Sequence, residues 1–430
     1  MALAHVPQAG RFGSQRELLY AIKNDGTLCF WDSDRNLGIV PGIHHAVQLV
    51  SNQYACLALT SDGSVYVSPN AYGLFGNHSD GFQRVELTAL GSDGEPREMQ
   101  GVTMMACSES LFVFLTAREM FFHGRQKLYS KERMQVVEYN MQGLVVDFAN
   151  PAKMAAIGET SILILMSDGR LERLSTDDFS DYETFVCPER GDRFDFVACC
   201  RETVLTVTRQ GRLYAFGQND KGHLGFGGEM QMVCDAQGRA LRNRFTGEAT
   251  ERVPRLVPLG GKRVCMAAAG RFQSVVVTDD GELWACGFNN EGQLGLGRID
   301  NTRFARVFND MPLTSVVVTM HQTIGLALDG RVVVIRDPQP RQRSFFAAGD
   351  TSRRFTVLNP AAAWEVGHFL PVPPALFHAF AAEGRHPLPM DLMSGIYMGT
   401  QVPSETGARI PSSSPLRRLH GHWPAGAGPV

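Results

Sequence analysis

The chain has 430 residues, of which 44% are hydrophobic and 20% charged, with a formal net charge of −3. That is enough apolar material for a sizeable core, and the near-neutral balance excludes a surface given over wholly to nucleic acid. No stretch approaches 18 apolar residues and the first residues carry no basic, apolar leader, so neither a helical membrane span nor a signal peptide is expected.

Along the chain one pattern returns: an apolar strand, a tight turn and a second apolar strand. It appears at 18–31 around Asp25-Gly26 and at 56–67 around Asp62-Gly63. An excursion at 70–101 follows, with further turn signals at Asp80-Gly81 and Asp93-Gly94, and reads as the outer strands of an early repeat plus a long loop. A degenerate copy at 111–122 keeps the strands and has lost the glycine; 162–171 restores it with Asp168-Gly169. Asp-Gly between β-rich runs is a strong hairpin signal, because a type I′ turn needs positive φ at both central residues.

The next two copies are longer and nearly identical. After the strand at 204–211 comes Leu213-Tyr-Ala-Phe-Gly-Gln-Asn-Asp-Lys-Gly-His-Leu-Gly-Phe-Gly227; after 275–281 comes Leu283-Trp-Ala-Cys-Gly-Phe-Asn-Asn-Glu-Gly-Gln-Leu-Gly-Leu-Gly297. Between Gly227 and Pro254 lies the largest insertion. It carries Glu229, Asp235, Arg239, Arg242, Arg244, Glu248, Glu251 and Arg252, with Met230, Met232 and Phe245 interleaved. It reads either as a solvated surface loop or as a partner-binding excursion built on arginine and aromatic anchors. A last copy lies at 324–335 around Asp329-Gly330. The seven turns fall about 51 residues apart, the span of one four-stranded blade.

At this point the residues carry a family resemblance. The Gly-Gln-Leu-Gly-Leu-Gly close at 292–297, and the lead-in Val264-Cys-Met-Ala-Ala-Ala-Gly-Arg-Phe-Gln-Ser-Val-Val-Val277, resemble the regulator of chromosome condensation repeat. The expected fold is therefore all-β: a seven-bladed β-propeller of four-stranded antiparallel blades over 8–366. A linker with one short helix (367–384) and a disordered Pro/Gly/Ser-rich tail (385–430) are expected to follow. Gly217, Gly222, Gly225, Gly227, Gly287, Gly292, Gly295 and Gly297 are assigned as structural residues supplying positive-φ turns. Trp31-Asp32 is the one dipeptide of the WD-repeat kind, too few for that class.

No chemistry-bearing motif is found. The glycine runs have the wrong order for a dinucleotide fingerprint, no His-Glu-x-x-His or Gly-x-Ser-x-Gly occurs, and Cys199-Cys200 has no companion at metal-ligand spacing. Catalytic, cofactor-binding and metal residues are all expected to be none. Nine cysteines without paired spacing suit a reducing compartment, cytoplasmic or nuclear. The expected role is a monomeric, non-enzymatic scaffold for a protein partner. The alternative is guanine-nucleotide exchange on a Ran-like GTPase, which the resemblance implies for founding members, in which a β-strand protrusion from one blade contacts the GTPase. Where the family often places a histidine beside serine, this chain has Gln53, Ser110, Thr160, Glu202 and Gln273. Chromatin docking through the tail has only sparse arginines such as Arg417 and Arg418 in its favour, so neither chromatin nor nucleic acid is the expected partner.

Overall fold

The computed structural model describes most of residues 3–335, with 355–357 and 416–420; the main stretches outside the described residues are 9–15, 69–80, 235–239, 336–354, 358–415 and 421–430. The linker helix expected in 374–384 lies outside them. All described regular structure is β, and no helix among the described residues is long and apolar enough to cross a membrane.

Among the described residues, six four-stranded antiparallel sheets and one of six strands follow one another along the chain as blades of a β-propeller. The first holds β1 (Leu3–Gln8), β2 (Arg16–Ile22), β3 (Leu28–Trp31) and β4 (Leu37–Ile39); the second β5 (Ala46–Ser51), β6 (Cys56–Thr60), β7 (Val65–Val67) and β8 (Gln83–Arg84). A small hairpin, β9 (Thr88–Leu90) with β10 (Pro96–Glu98), precedes the third blade, so the 70–101 excursion holds one outer strand and an extra hairpin. The third blade has β11 (Met104–Cys107), β12 (Leu111–Leu115), the long β13 (Glu119–Ser130) and β15 (Val145–Phe148), with β14 (Gln135–Asn140) paired to the far half of β13. The fourth has β16 (Ala152–Ile157), β17 (Ser161–Met166), β18 (Leu171–Ser175) and β19 (Tyr182–Phe185).

The fifth has β20 (Phe194–Cys200), β21 (Thr203–Thr208) and β22 (Leu213–Gln218), then a separate hairpin β23 (Met230–Cys234) and β24 (Ala240–Phe245), and closes with β25 (Thr250–Leu256). The sixth has β26 (Val264–Ala269), β27 (Gln273–Thr278), β28 (Leu283–Gly287) and β29 (Asn301–Val307); the seventh β30 (Leu313–Val318), β31 (Thr323–Ala327), β32 (Val332–Ile335) and β33 (Phe355–Val357). Within the tail expected to be disordered, β34 (Leu416–His420) pairs with β15. The strands gather into two compact units, one holding the first four blades and the other the last three, with β19 ending at their boundary.

Second strands explain the apolar runs of the sequence. Every residue of β6, β12, β17, β21 and β27 is buried, because each is covered on both faces, and such strands lose the alternation of a half-exposed sheet. The first strand of five blades carries the same bulge, with a register shift at Ala46/Gln48, Ala152/Met154, Phe194/Phe196, Val264/Met266 and Leu313/Ser315. Where the signature is missing, other polar devices join the blades. Gln48 of β5 donates through Nε2 to the Met105 carbonyl (2.9 Å) and accepts from the Met105 amide (2.7 Å), so one side chain behaves as a short piece of strand.

The Asp-Gly turns have a second task. The turn carbonyl of one blade accepts the amide that opens the next: Gly26 from Ala46 (2.9 Å), Gly211 from Val264 (2.7 Å) and Gly281 from Leu313 (2.9 Å). The degenerate third copy does this with Ala117, which accepts from Ala152 (3.0 Å), while Thr116 Oγ1 caps the turn through the Glu119 amide (3.0 Å). Two demands therefore meet at Gly281: φ is +82°, and a Cβ would lie 2.6 Å from Pro312 Cβ.

Replacing Gly281 with Ala is expected to cost roughly 3 kcal/mol or more in urea unfolding, combining left-handed strain with displacement of Pro312. Gly260→Ala, at φ +62° with nothing within 4 Å, carries only the strain, about 1 kcal/mol.

Candidate functional site: a pinned hairpin on the fifth blade

The insertion between Gly227 and Pro254 folds as the β23–β24 hairpin, between the third and fourth strands of its blade. Its register pairs Met230 with Phe245, Gln231 with Arg244, Met232 with Asn243, and Val233 with Arg242. Of the remaining residues singled out here, Glu229 and Arg252 are exposed at the two roots, and Asp235 and Arg239 lie outside the described residues.

Both roots are fixed by the signature turn. On the returning leg, the Asn219 amide donates to the Ala249 carbonyl (2.7 Å) and its Nδ2 to the Glu248 carbonyl (2.9 Å), while Oδ1 accepts from the Leu224 amide (2.9 Å). On the entering leg, Gly227 donates to the Thr302 carbonyl of β29 (2.7 Å), and Thr302 Oγ1 donates to the Gly228 carbonyl (2.8 Å). Leu224 enters the core shared with Val264, Ala267 and Phe304 of the sixth blade. The Gly-x-Leu-Gly-x-Gly close is thus a latch onto the neighbouring blade.

The second copy repeats the turn without a hairpin. Asn289 Oδ1 accepts from the Leu294 amide (2.8 Å), and its own amide donates to Asp300 Oδ1 (2.7 Å). Leu294 then packs among Leu313, Val316 and Ile335. Gly217, Gly222, Gly225, Gly227, Gly287, Gly292 and Gly295 all have positive φ, and Gly297 lies outside the described residues. At Gly217 a Cβ would fall 1.7 Å from the Glu202 carbonyl oxygen, so no other residue fits there. The asparagines were not among the assigned residues, although both copies carry one at the same step of the repeat.

His223, the variable residue of the first close, is fully buried. Its Nε2 lies 2.7 Å from Thr203 Oγ1, Nδ1 has no partner among the described residues, and the ring meets Phe272 edge-on at 6.4 Å. Burial pushes its pKa down to about 4. Its counterpart in the second copy is the buried Gln293. Among the described residues no group of His, Cys, Asp and Glu side chains has the arrangement of a metal site.

Residues 210–277 and 267–293 match the family described as "Regulator of chromosome condensation (RCC1) repeat". The stretch 210–293 thus carries RCC1 repeats. Similar proteins carrying the repeat include the mouse X-linked retinitis pigmentosa GTPase regulator, 34% identical over 105 residues, 24% of this chain and 9% of the relative. Mouse protein RCC2 is 32% identical over 99 residues (23% and 15%), and the human E3 ubiquitin-protein ligase HERC2 25% over 251 residues (54% and 5%). The chain thus covers only small parts of these relatives. Among solved structures, human WBSCR16 matches at TM-score 0.52 and 18% identity, covering 76% of this chain and 86% of that one. Saccharomyces cerevisiae Prp20p, described with its binding to Gsp1p and histones, matches at 0.50 and 17% (72% and 80%). At those identities the likeness concerns the RCC1 propeller fold.

The buried imidazole gives this blade an acid sensitivity. A histidine whose folded pKa is depressed stabilises the fold fully above its ordinary value near 6.5, and that contribution falls away as pH drops toward 4. The loss amounts to at most about 3 kcal/mol. His223→Gln, which copies the sister repeat, is expected to flatten this part of a stability–pH profile recorded by urea unfolding between pH 7 and pH 4.

Proposed function

We propose that this RCC1-repeat chain is a non-enzymatic protein-interaction scaffold whose β23–β24 hairpin grips a protein partner. The observation that carries this reading is the clamping of both roots of the hairpin, at Gly227–Gly228 and at Glu248–Ala249. A two-stranded hairpin has marginal stability of its own in water. Fixed roots remove part of the ordering cost of binding, which favours affinity.

The second reading is guanine-nucleotide exchange on a small GTPase. It is favoured by the relative named a GTPase regulator and by the Prp20p structure described with Gsp1p. An exchange factor of this kind needs no acid or base. It binds the nucleotide-free GTPase more tightly than the loaded one and so shifts the population toward release.

Release of a fluorescent guanine nucleotide from Ran and related GTPases separates the two. The scaffold reading expects no acceleration by the folded protein at catalytic concentration; acceleration by orders of magnitude establishes exchange. The hairpin itself is tested with a matched pair of variants against any partner so identified. Asn219→Ala and Asn289→Ala are each expected to cost about 2 kcal/mol of stability through buried groups left unpaired. Only Asn219→Ala is expected to weaken partner binding, by roughly tenfold, because only it loosens the hairpin root. Equal weakening by both variants would remove the hairpin from the partner site.

A further inference from the structure

We infer that the outer edge of the third blade is a docking site for an extended basic segment of a protein partner, and that residues 416–420 of this chain fill it when no partner is bound. This edge lies on a different blade from the β23–β24 hairpin, and its role does not depend on the hairpin's.

The outer strand of a blade leaves backbone groups unpaired, and proteins blunt such edges with short or irregular strands. Here β8 holds only Gln83 and Arg84, and β25 and β29 shift register against their neighbours at Ala215/Gly217 and Ala285/Gly287. The third blade differs. Its β15 runs Val-Val-Asp-Phe, without glycine or proline, and pairs with β13 in unbroken register: Glu119 with Asp147, Met120 with Val146, Phe121 with Val145. Val146 and Phe148 enter one core cluster and Val145 another, so β15 is fixed by its own blade and stays in place when its outer neighbour leaves. A regular, preformed edge of this kind is a template for a further strand.

That template is in use. The strand β34 pairs antiparallel with the outer side of β15, setting Leu416 opposite Phe148, Arg417 opposite Asp147, Leu419 opposite Val146 and His420 opposite Val145. It is held less well than the edge that receives it. Among the described residues β34 has a neighbouring strand on one side only, and a register shift between Val146 and Asp147 leaves Arg418 outside the ladder. A bulge disrupts a ladder locally. A partner segment that meets β15 in straight register therefore makes the better strand.

The residues of the edge set the composition of that segment. Glu119 and Asp147 stand directly opposite each other, and like charges so placed are unfavourable. Glu119 is ion-paired with Arg97 of β10. Asp147 is the acid beside the incoming strand, so a basic residue opposite it is favoured, between apolar residues opposite Phe148 and Val146. The chain's own sequence has arginine at that register. A nucleic acid has no amide ladder to offer and meets an acid there.

The test uses the full chain and fluorescence polarisation of a labelled peptide with the sequence of 412–423. Neighbouring residues of a strand aim their amides to opposite sides, so Leu419→Pro with His420→Pro removes a donor from the β34 ladder and vacates the edge. That variant is expected to bind the peptide, and the wild-type chain at least about tenfold more weakly, because its tethered segment competes. Deleting Arg418 from the peptide is expected to tighten binding several-fold by removing the bulge. Arg417→Glu in the peptide is expected to weaken binding roughly tenfold, and the two prolines in the peptide to abolish it. Thermal melts confirm that both chains are folded, and hydrogen exchange locates the peptide by protection of the Val145–Phe148 amides. Equal binding by both chains overturns the closure by 416–420. No binding by the folded variant, or binding of the proline peptide as strong as that of the native one, overturns the docking site. A wild-type chain that dimerises, with the dimer lost in the variant, makes a second copy the occupant and overturns closure within one chain.

Discussion

A buried primary amide at the foot of the signature turn supports much of what is distinctive in this RCC1-repeat protein. Asn219 and Asn289 each offer a donor and an acceptor in a place where water cannot substitute for a missing partner. The backbone that satisfies Oδ1 is the amide of Leu224 or Leu294, the residue that drives into the next blade. Satisfying the amide and seating the leucine are thus one event. In the fifth blade the same asparagine also holds the chain as it returns from the hairpin, so core packing and surface display share a single anchor.

Much of the fold was legible in the sequence, and for a physical reason. Asp-Gly at a hairpin corner answers to a local backbone requirement, so it marks blades even where the strands have drifted. What lay beyond the reach of sequence was the partner of each group. Nothing local announces that the Gly281 carbonyl meets the Leu313 amide, or that Gln48 forks onto Met105, 57 residues away. The asparagines were visible as repeated letters, but their weight comes from burial and, at Asn219, from bonds to the distant backbone of Glu248 and Ala249.

The candidate site was legible as an insertion and not as a shape. That 230–234 pairs with 240–245 becomes visible only once the register is fixed. A comparable extension of the third blade was missed altogether. There β13 continues past the sheet as far as Ser130 and pairs with β14, and the connection at 131–134 is Lys-Glu-Arg-Met, with none of the residues that announce a turn. Gly124, at φ 122°, stands where the strand leaves its blade. Both ribbons arise between the third and fourth strands of their sheets, so the repeat tolerates growth at that connection.

The recurrent bulge in the first strands sets the opposite condition. A bulge fixes how many residues oppose how many across a ladder, and removing one residue there would turn every later side chain of the strand to the other face. Connections such as 227–254 are free to lengthen; the opening of a first strand is not. Over long divergence, amino-acid identity can fade in these blades while residue count at that one place stays constant. Homologous positions in distant copies are therefore better aligned by counting from the bulge than by matching letters.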